Sequence, residues 1–449
     1  MGSLRIHPSL HWNGTETVKV RELLIGSFKA ALNAADPLQV VPPHLPPAAS
    51  FGNGRLVVIG AGKAAAAMAK AVEDFYAQSV ALEGLVITRY GHGLPLKRIR
   101  VVEAGHPVPD ANGENAAKEI LGAVSTLAPD DLLVALISGG GSSLLSLPVE
   151  GVSMADLKIV TGELLRCGAP IQQMNIVRKH ISQIQGGRLA AATGAQVLSL
   201  IISDVTGDDP THIASGPTAP DPSTFQHALD ILYYYNITPP LSIARYLSRG
   251  ARGEVSESLK PGDPVFDRVD NRVIATAHAS LSMAAAYLQQ RGVTPMILGD
   301  SVTGEASEVA KVYAALARQI HKHHHPIKPP VALISGGETT VTLRGRPDHT
   351  PTGRGGRCSE FLLSLAIELD GLANTHALAC DTDGIDGTED NAGALLAPDS
   401  LQRATQKGLD ARKLLAHNDG YGFFSAIDDI VITGPTRTNV NDYRVILIR

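Results

Sequence analysis

Four places in the chain combine residue types that can hold or move a phosphoryl group. Lys63 follows Gly60-Ala61-Gly62 and opens an Ala-rich stretch. A helix start already favours an anion through its N–H groups and dipole, and a lysine there adds a cation for phosphate or carboxylate. Ser203-Asp204-Val205-Thr206-Gly207-Asp208-Asp209 gathers three carboxylates in one loop. Such a set holds Mg2+ or acts as a base, and the same residues also build an Asx turn with a helix cap. Arg354 and Arg357 stand among glycines before a helical stretch, a pattern suited to bidentate capture of phosphate or carboxylate. Asp381-Thr382-Asp383-Gly384-Ile385-Asp386-Gly387 has a D-x-D-G run, but Ala392 occupies the twelfth position, where a calcium loop needs Glu. A magnesium or nucleotide loop fits better than calcium, and a polar turn stays open.

The run VALISGG occurs twice, at 134–140 and 331–337. Each copy predicts a buried parallel strand that ends on a tight loop. Ligands in open α/β sheets sit at such carboxyl ends. The first copy continues Gly141-Ser142-Ser143, so Ser138, Gly139, Gly140, Gly141, Ser142 and Ser143 form a candidate cradle for a small carboxylate. The second continues Glu338-Thr339-Thr340, which suits a metal or nucleotide hydroxyls better than an anion. Gly299-Asp300-Ser301-Val302-Thr303-Gly304-Glu305 is a further loop of this type. Asn175, Lys179, His180 and Arg188 cluster polar and basic groups near one helix, with His180 read as a structural or positioning residue rather than a catalytic one.

The elements that must carry these loops follow from periodicity. Strands are predicted at 55–59, 85–88, 99–103, 132–137, 196–202, 272–275, 294–298, 375–379, 430–433 and 444–448. Helices are predicted at 16–35, 112–127, 153–166, 178–192, 279–291, 305–321 and 360–368, and from the Lys63 loop through about Tyr76. Residues 339–344 alternate like an antiparallel edge. Strand–helix alternation means parallel sheets with helices on both faces. A charged, Gly- and Pro-bearing stretch at 250–270 lacks periodicity and marks the domain boundary. The expected domains are 1–262, Rossmann-like and doubly wound, and 263–449, a smaller α/β unit.

Gly60-x-Gly62-x-x-Ala65 also fits a weak dinucleotide fingerprint. That reading needs an acid at the end of the second strand, where this chain has Thr88-Arg89-Tyr90. NAD is disfavoured, while Arg89 suits NADP.

Composition excludes several classes. The 449 residues are too many for one ordinary core. Aromatics are only 4%, which argues against a stacking surface for single-stranded nucleic acid. A net charge of −5 gives no bulk attraction to DNA or acidic membranes. No apolar run is long enough for a membrane span. The three cysteines lack metal spacing and point to a reducing, cytoplasmic setting. His321, His323, His324 and His325 lie among Lys and Pro and read as a solvated linker.

The order of the motifs is more specific than any one of them. GAGKAA, GHPVPD, LISGGGSSLL, NIVRKHIS, SDVTGDDPTHIASGPT, GDSVTGEA, ISGGETTV, GRGGR-x-x-E, DTDGIDGTEDNAGA and TGPTRTNVND follow one another. This succession resembles the class II glycerate 2-kinases, the family with a MOFRL domain at its C-terminal end. The resemblance implies a monomeric or dimeric two-domain α/β kinase with its active site in the interdomain cleft. It implies transfer of the ATP γ-phosphate to the 2-hydroxyl of D-glycerate, with Mg2+ as cofactor and no nucleic-acid or membrane partner. Carried over, the catalytic residues are Lys63, Asp204 and Arg357. The substrate loop is 138–143 with His106. The nucleotide residues are Gly299, Asp300, Gly336, Gly337, Glu338, Thr339 and Asp383, and the metal ligands are Asp204, Asp381 and Asp386. The chain departs from the family at Cys358-Ser359, where many members read Asn-Gln, and at Arg437, where many have Gly. An insertion-like stretch at 346–352 sits beside the Arg357 loop. The rival readings are an NADP-dependent hydroxypyruvate reductase and a non-catalytic sensor on the same fold.

Overall fold

A computed structural model describes residues 15–48, 54–77, 79–343 and 353–449. The stretch at 346–352 lies outside the described residues. The chain forms two compact units, one of residues 37–275 and one of residues 1–36 with 276–449.

The first unit is built on β1 (Leu56–Ala61), β2 (Leu82–Arg89), β3 (Ile99–Ala104), β4 (Leu132–Ser138), β5 (Gln196–Ile202) and β6 (Val269–Ala275). Their order is β3-β2-β1-β4-β5-β6, and every pairing is parallel. This is the order of the doubly wound dinucleotide-binding sheet, whose switch point lies between β1 and β4. β1 is buried along its whole length, as a strand covered on both faces must be. Val57, Ile59, Leu133, Ala135 and Ile137 pack with Ala117, Ile120 and Val124 of the helix Ala111–Val124. The Ala-rich helix Ala65–Tyr76 packs against β1, β2 and β4. Between β4 and β5 the chain adds the helices Met154–Arg166 and Ile171–His180. Between β5 and β6 it adds Phe225–Tyr234 and Leu241–Ala251. These four share a separate apolar core around Leu157, Val177, Phe225 and Leu247.

The second unit has β7 (Thr294–Gly299), β8 (Val331–Ser335), β9 (Thr375–Asp381), β10 (Gly393–Leu396), β11 (Ile430–Val431) and β12 (Asp442–Ile448) in the order β11-β10-β9-β12-β8-β7. Its strands alternate strictly in facing. Val331, Leu333, Ala377, Ala379, Ile446 and Ile448 meet the helices Ala306–His323 and Arg357–Leu369. Ala332, Ile334, Leu378, Val445 and Leu447 meet the helices Thr15–Asn33 and Ala277–Gln289. A period of two with both faces apolar gives this three-layer sandwich.

Three expectations are revised. The first VALISGG strand is parallel to both neighbours, but β8 is parallel only to β7 and antiparallel to β12. Residues 339–343 form no strand beyond one bridge between Thr340 and Glu305. The compact units also divide differently from 1–262 and 263–449. β6 completes the first sheet, and the first helix packs on the second. Among the described residues no helix is long and apolar enough to cross a membrane.

Candidate functional site

In the first unit, the carboxyl ends of β1, β3, β4 and β5 carry the Lys63 turn, the His106 loop, the 138–143 loop and Asp204. Glycine geometry holds two of these loops together. Gly62 has φ +135°, and a Cβ there would lie 2.1 Å from the Ser138 Oγ. Gly140 has φ +82°, and its Cβ would meet the His106 ring at 2.9 Å and the Lys63 Cγ at 3.5 Å. Both are left-handed positions that only glycine adopts without strain. Lys63 and His106 therefore flank the bare backbone of Gly140.

The amides of the Lys63 turn are already engaged. Lys63 N–H donates to the Gly139 carbonyl at 2.8 Å and Ala64 N–H to the Ser138 Oγ at 3.1 Å. Ala65 N–H donates to the Gly62 carbonyl at 3.1 Å. The expected anion site at this helix start is filled by the neighbouring loop. The side chain of Lys63, not its backbone, is what the turn offers.

The 138–143 loop rests on a strained support. Ala214, Ser215 and Gly216 are consecutively left-handed. Two non-glycine residues in that region cost roughly 1–2 kcal/mol each, and such strain persists only where its surroundings fix it. Ser215 Oγ donates to Ser142 Oγ at 2.9 Å, and the Cβ of Ala214 blocks any side chain at Gly141. Ser203 N–H donates to the Ala275 carbonyl, fixing the backbone just before the half-buried Asp204.

Behind this edge, Lys179 and His180 are buried. Lys179 Nζ donates to Asp221 at 2.9 Å and to Thr211 Oγ1 at 3.1 Å. Burial lowers the Lys179 pKa, and the Asp221 pKa sits near 2 because Lys179 and two serines outweigh its burial. His180 lies 3.1 Å from Glu257 and stacks edge-on with Phe225. These residues, with Arg188 bonded to the Lys179 carbonyl, form one buried polar network.

In the second unit the expected residues converge. Gly336 N–H donates to the Gly299 carbonyl at 2.8 Å, and Gly337, at φ +96°, sits 2.3 Å by its would-be Cβ from Val302 N. The loops bearing Gly299, Asp300, Gly336, Gly337, Glu338 and Thr339 are thus in contact. Arg357 donates to Asp442 at 2.8 Å, to Glu338 at 2.7 Å and to Asp381 at 2.9 Å. Burial opposes its charge, but the three carboxylates outweigh burial and hold the guanidinium charged. Asp383 N–H donates to Asp381, joining the Asp-rich loop to the cluster.

Two members were missed from the sequence. Asp442 bonds both Arg357 and Arg444, and Arg444 donates to the Gly336 carbonyl and Thr339 Oγ1. Their signal was a charged pair at i and i+2 opening an otherwise apolar strand.

Asp386 takes a different place from the one expected. Its two oxygens accept from Cys358 N–H at 2.9 Å and Ser359 N–H at 2.8 Å, and it is fully buried. It caps the helix that begins at Arg357, with one backbone amide on each carboxylate oxygen. Cys358 and Ser359 are buried in that same first turn. Among the described residues, no three His, Cys, Asp or Glu side chains gather as a metal site.

Comparison with known proteins finds relatives over nearly the whole chain. Residues 23–248 match a family described as a domain of unknown function, DUF4147, and residues 331–442 match the MOFRL family. A protein of Agrobacterium vitis with the provisional name hydroxypyruvate reductase is 48% identical, covering 97% of this chain and 96% of its own. The glycerate 2-kinase of Pyrococcus horikoshii is 40% identical, covering 88% of each chain. The crystal structure of a glycerate kinase from Thermotoga maritima matches with a TM-score of 0.82 and 35% identity, over 96% of this chain and 100% of that one.

Proposed function

This chain belongs to the glycerate 2-kinase family that carries the MOFRL domain, and we propose that it phosphorylates D-glycerate at the 2-hydroxyl, giving 2-phospho-D-glycerate and ADP from ATP. The observation that carries the reading is the match, in sequence and fold over nearly the whole chain, to the Thermotoga glycerate kinase.

Phosphoryl transfer needs positioning and charge neutralisation more than covalent chemistry. We assign Lys63 to the transferring phosphoryl group, where its ammonium offsets the charge of the transition state. Asp204 orients the 2-hydroxyl and accepts its proton. The 138–143 loop and His106 hold the acid. In the second unit, Gly299, Asp300, Gly336, Gly337, Glu338, Thr339 and Asp383 are assigned to the nucleotide. Arg357 is assigned to its phosphates, which would replace Glu338 and Asp381 as its partners. Asp386 does not fit a metal, and Asp381 already faces Arg357. Mg2+ is therefore assigned as the ion that arrives on the ATP phosphates, with Asp381 and Asp204 as the carboxylates that could meet it.

The relatives that carry the reductase name give a second reading a specific footing, as does the dinucleotide-type strand order. Against it, the turn amides that would hold a pyrophosphate are engaged by Ser138 and Gly139. β2 ends on Thr88-Arg89, without the acid that an NAD ribose needs, so the second reading is confined to NADP.

Incubation with D-glycerate, ATP and Mg2+ and phosphorus NMR of the product tests the proposal. The expected product is the 2-phosphate, lost in Lys63→Ala and Asp204→Asn. NADPH oxidation with hydroxypyruvate, and no phosphoglycerate, would overturn it.

A further inference from the structure

The NIVRKH helix, Ile171–His180, has no role in the reading above, yet it grips the turn that supports the 138–143 loop. In that turn Ala214 has φ +51° and Ser215 has φ +60°. Left-handed backbone is uphill at any residue but glycine. Such a turn persists only where bonds from outside fix it.

Those bonds come from two sides. Asn175 is 1% exposed, and its Nδ2 donates to the His212 carbonyl at 3.0 Å. Its Oδ1 accepts from Arg178 at 3.3 Å, which sets the way the amide faces. One helical turn further on, Lys179 Nζ donates to Thr211 Oγ1 at 3.1 Å. From the other side, Gly186 N–H donates to the Ser215 carbonyl at 3.0 Å and Gly187 N–H to the Gly216 carbonyl at 2.8 Å. Ser215 N–H reaches the His212 carbonyl only at 3.4 Å, a long bond. Asn175 therefore supplies the short bond to that carbonyl, just before the left-handed run begins.

The turn passes this constraint to the loop. Ser215 Oγ donates to Ser142 Oγ at 2.9 Å. A Cβ on Gly141 would lie 2.5 Å from the Ala214 Cβ, so the loop backbone rests directly on that side chain. Gly141 and Ser142 follow Gly140, whose backbone Lys63 and His106 flank.

We propose that Asn175 is a positioning residue for the acceptor site. It clamps the strained turn at 214–216, and the turn holds Gly141 and Ser142 in the geometry that binds the acid. Without the clamp, Ala214 and Ser215 relax toward right-handed or extended backbone, and the loop loses its support. The proposal rests on the glycerate kinase reading and adds to it a residue that touches no substrate.

Steady-state kinetics of the full chain test it. Where the turn forms in only a fraction of molecules, the apparent affinity for the acid falls by that fraction. Asn175→Ala is expected to raise KM for D-glycerate about five- to fiftyfold, with KM for ATP unchanged. Ala214→Gly supplies the control, because glycine enters the left-handed region without strain. In that background Asn175→Ala should raise KM for glycerate by about threefold at most. A purely structural asparagine would lower the melting temperature in both backgrounds and move neither KM. Ser215→Ala cuts the last contact alone and should raise KM for glycerate about two- to tenfold. It carries the test if Asn175→Ala does not fold. KM for glycerate within about twofold of wild type in the folded variants would overturn the proposal. So would an equal rise in KM for ATP, or an undiminished effect of Asn175→Ala in the Ala214→Gly background. Calorimetric titration with D-glycerate reads the same loop without turnover. A wild type that binds glycerate and makes no phosphoglycerate would overturn the kinase reading, and the calorimetric ranking of the variants would still decide on Asn175.

Discussion

Glu360 sits in the first turn of the Arg357 helix, where a carboxylate would ordinarily favour the dipole from solvent. The structure buries it, with Asn418 Nδ2 donating at 3.0 Å. Burial, aided by the charges of Glu305 and Asp386, raises its pKa to about 7 from 4.5. A raised carboxyl pKa means the folded state prefers the neutral acid. The stability this gives is complete below about pH 4.5 and is lost as pH rises through about 7. The loss is on the order of 3 kcal/mol. Glu360→Gln stays neutral throughout, so its melting temperature should match wild type near pH 4.5 and exceed it above pH 8. Parallel curves would show that Glu360 titrates normally. Arg437 is a second residue whose environment outruns its type. It stands at φ +60°, where many family members have glycine. Arg437→Gly should relieve the backbone and stabilise the chain by a few tenths to about 1 kcal/mol. A lower denaturation midpoint would show that the arginine side chain contributes more than its backbone costs. Residue types pointed to Lys63, Arg357 and the glycine loops because glycine spacing and charge are written in the sequence. Burial is not, so the sealed states of Glu360 and Asp386 could not be read from it.

At the scale of elements, Asp386 decides how the Arg357 helix begins. Its carboxylate caps two first-turn amides across 28 residues of chain, and that turn orients Arg357 toward Asp381, Asp442 and Glu338. Asp386→Ala should destabilise the second unit by about 1–3 kcal/mol. It should leave the Mg2+ concentration for half-maximal kinase rate unchanged. A tenfold shift in that concentration with an unaltered melting curve would instead make Asp386 a metal ligand. The strands of the first sheet were legible, since buried parallel strands are continuous apolar runs, and 196–202 was read to the residue. The helix expected over 178–192 was not. Its apolar spacing continues, but Gly186 and Gly187 are left-handed, and the chain breaks between Ile171–His180 and Arg188–Ala191. The helices Phe225–Tyr234 and Leu241–Ala251 were missed because their apolar faces close on one another's core rather than on the sheet.

At the scale of the whole molecule, the second unit takes its first helix from the opposite end of the chain. Val20, Leu24, Ile25, Phe28 and Leu32 of the helix Thr15–Asn33 are buried against Leu281, Ala284, Leu378, Tyr443 and Leu447. Phe28 stacks on Tyr443 at 5.8 Å, Tyr443 Oη donates to Ser27 Oγ at 2.8 Å, and Thr438 Oγ1 donates to the Ala35 carbonyl at 2.7 Å. No local pattern in the sequence links residue 28 to residue 443, which is why a division into two consecutive segments looked natural. Five large side chains at roughly 2 kcal/mol each give this helix about 10 kcal/mol of gross burial. That is comparable to the net stability of a whole domain, about 5–15 kcal/mol. A fragment of residues 276–449 alone should therefore fail to melt cooperatively, its sheet face bare where the helix belongs. Adding residues 1–36 as a separate peptide should restore a cooperative transition whose midpoint rises with peptide concentration, as binding to the folded form alone requires. The fragment 37–275, which holds its own six-stranded sheet and helical core, should melt cooperatively without either piece. Circular dichroism melts of the three samples decide the matter. A cooperative transition in 276–449 without the peptide would mean that the helix Ala277–Gln289 suffices to cover that face, and that the first helix adds stability but not the fold.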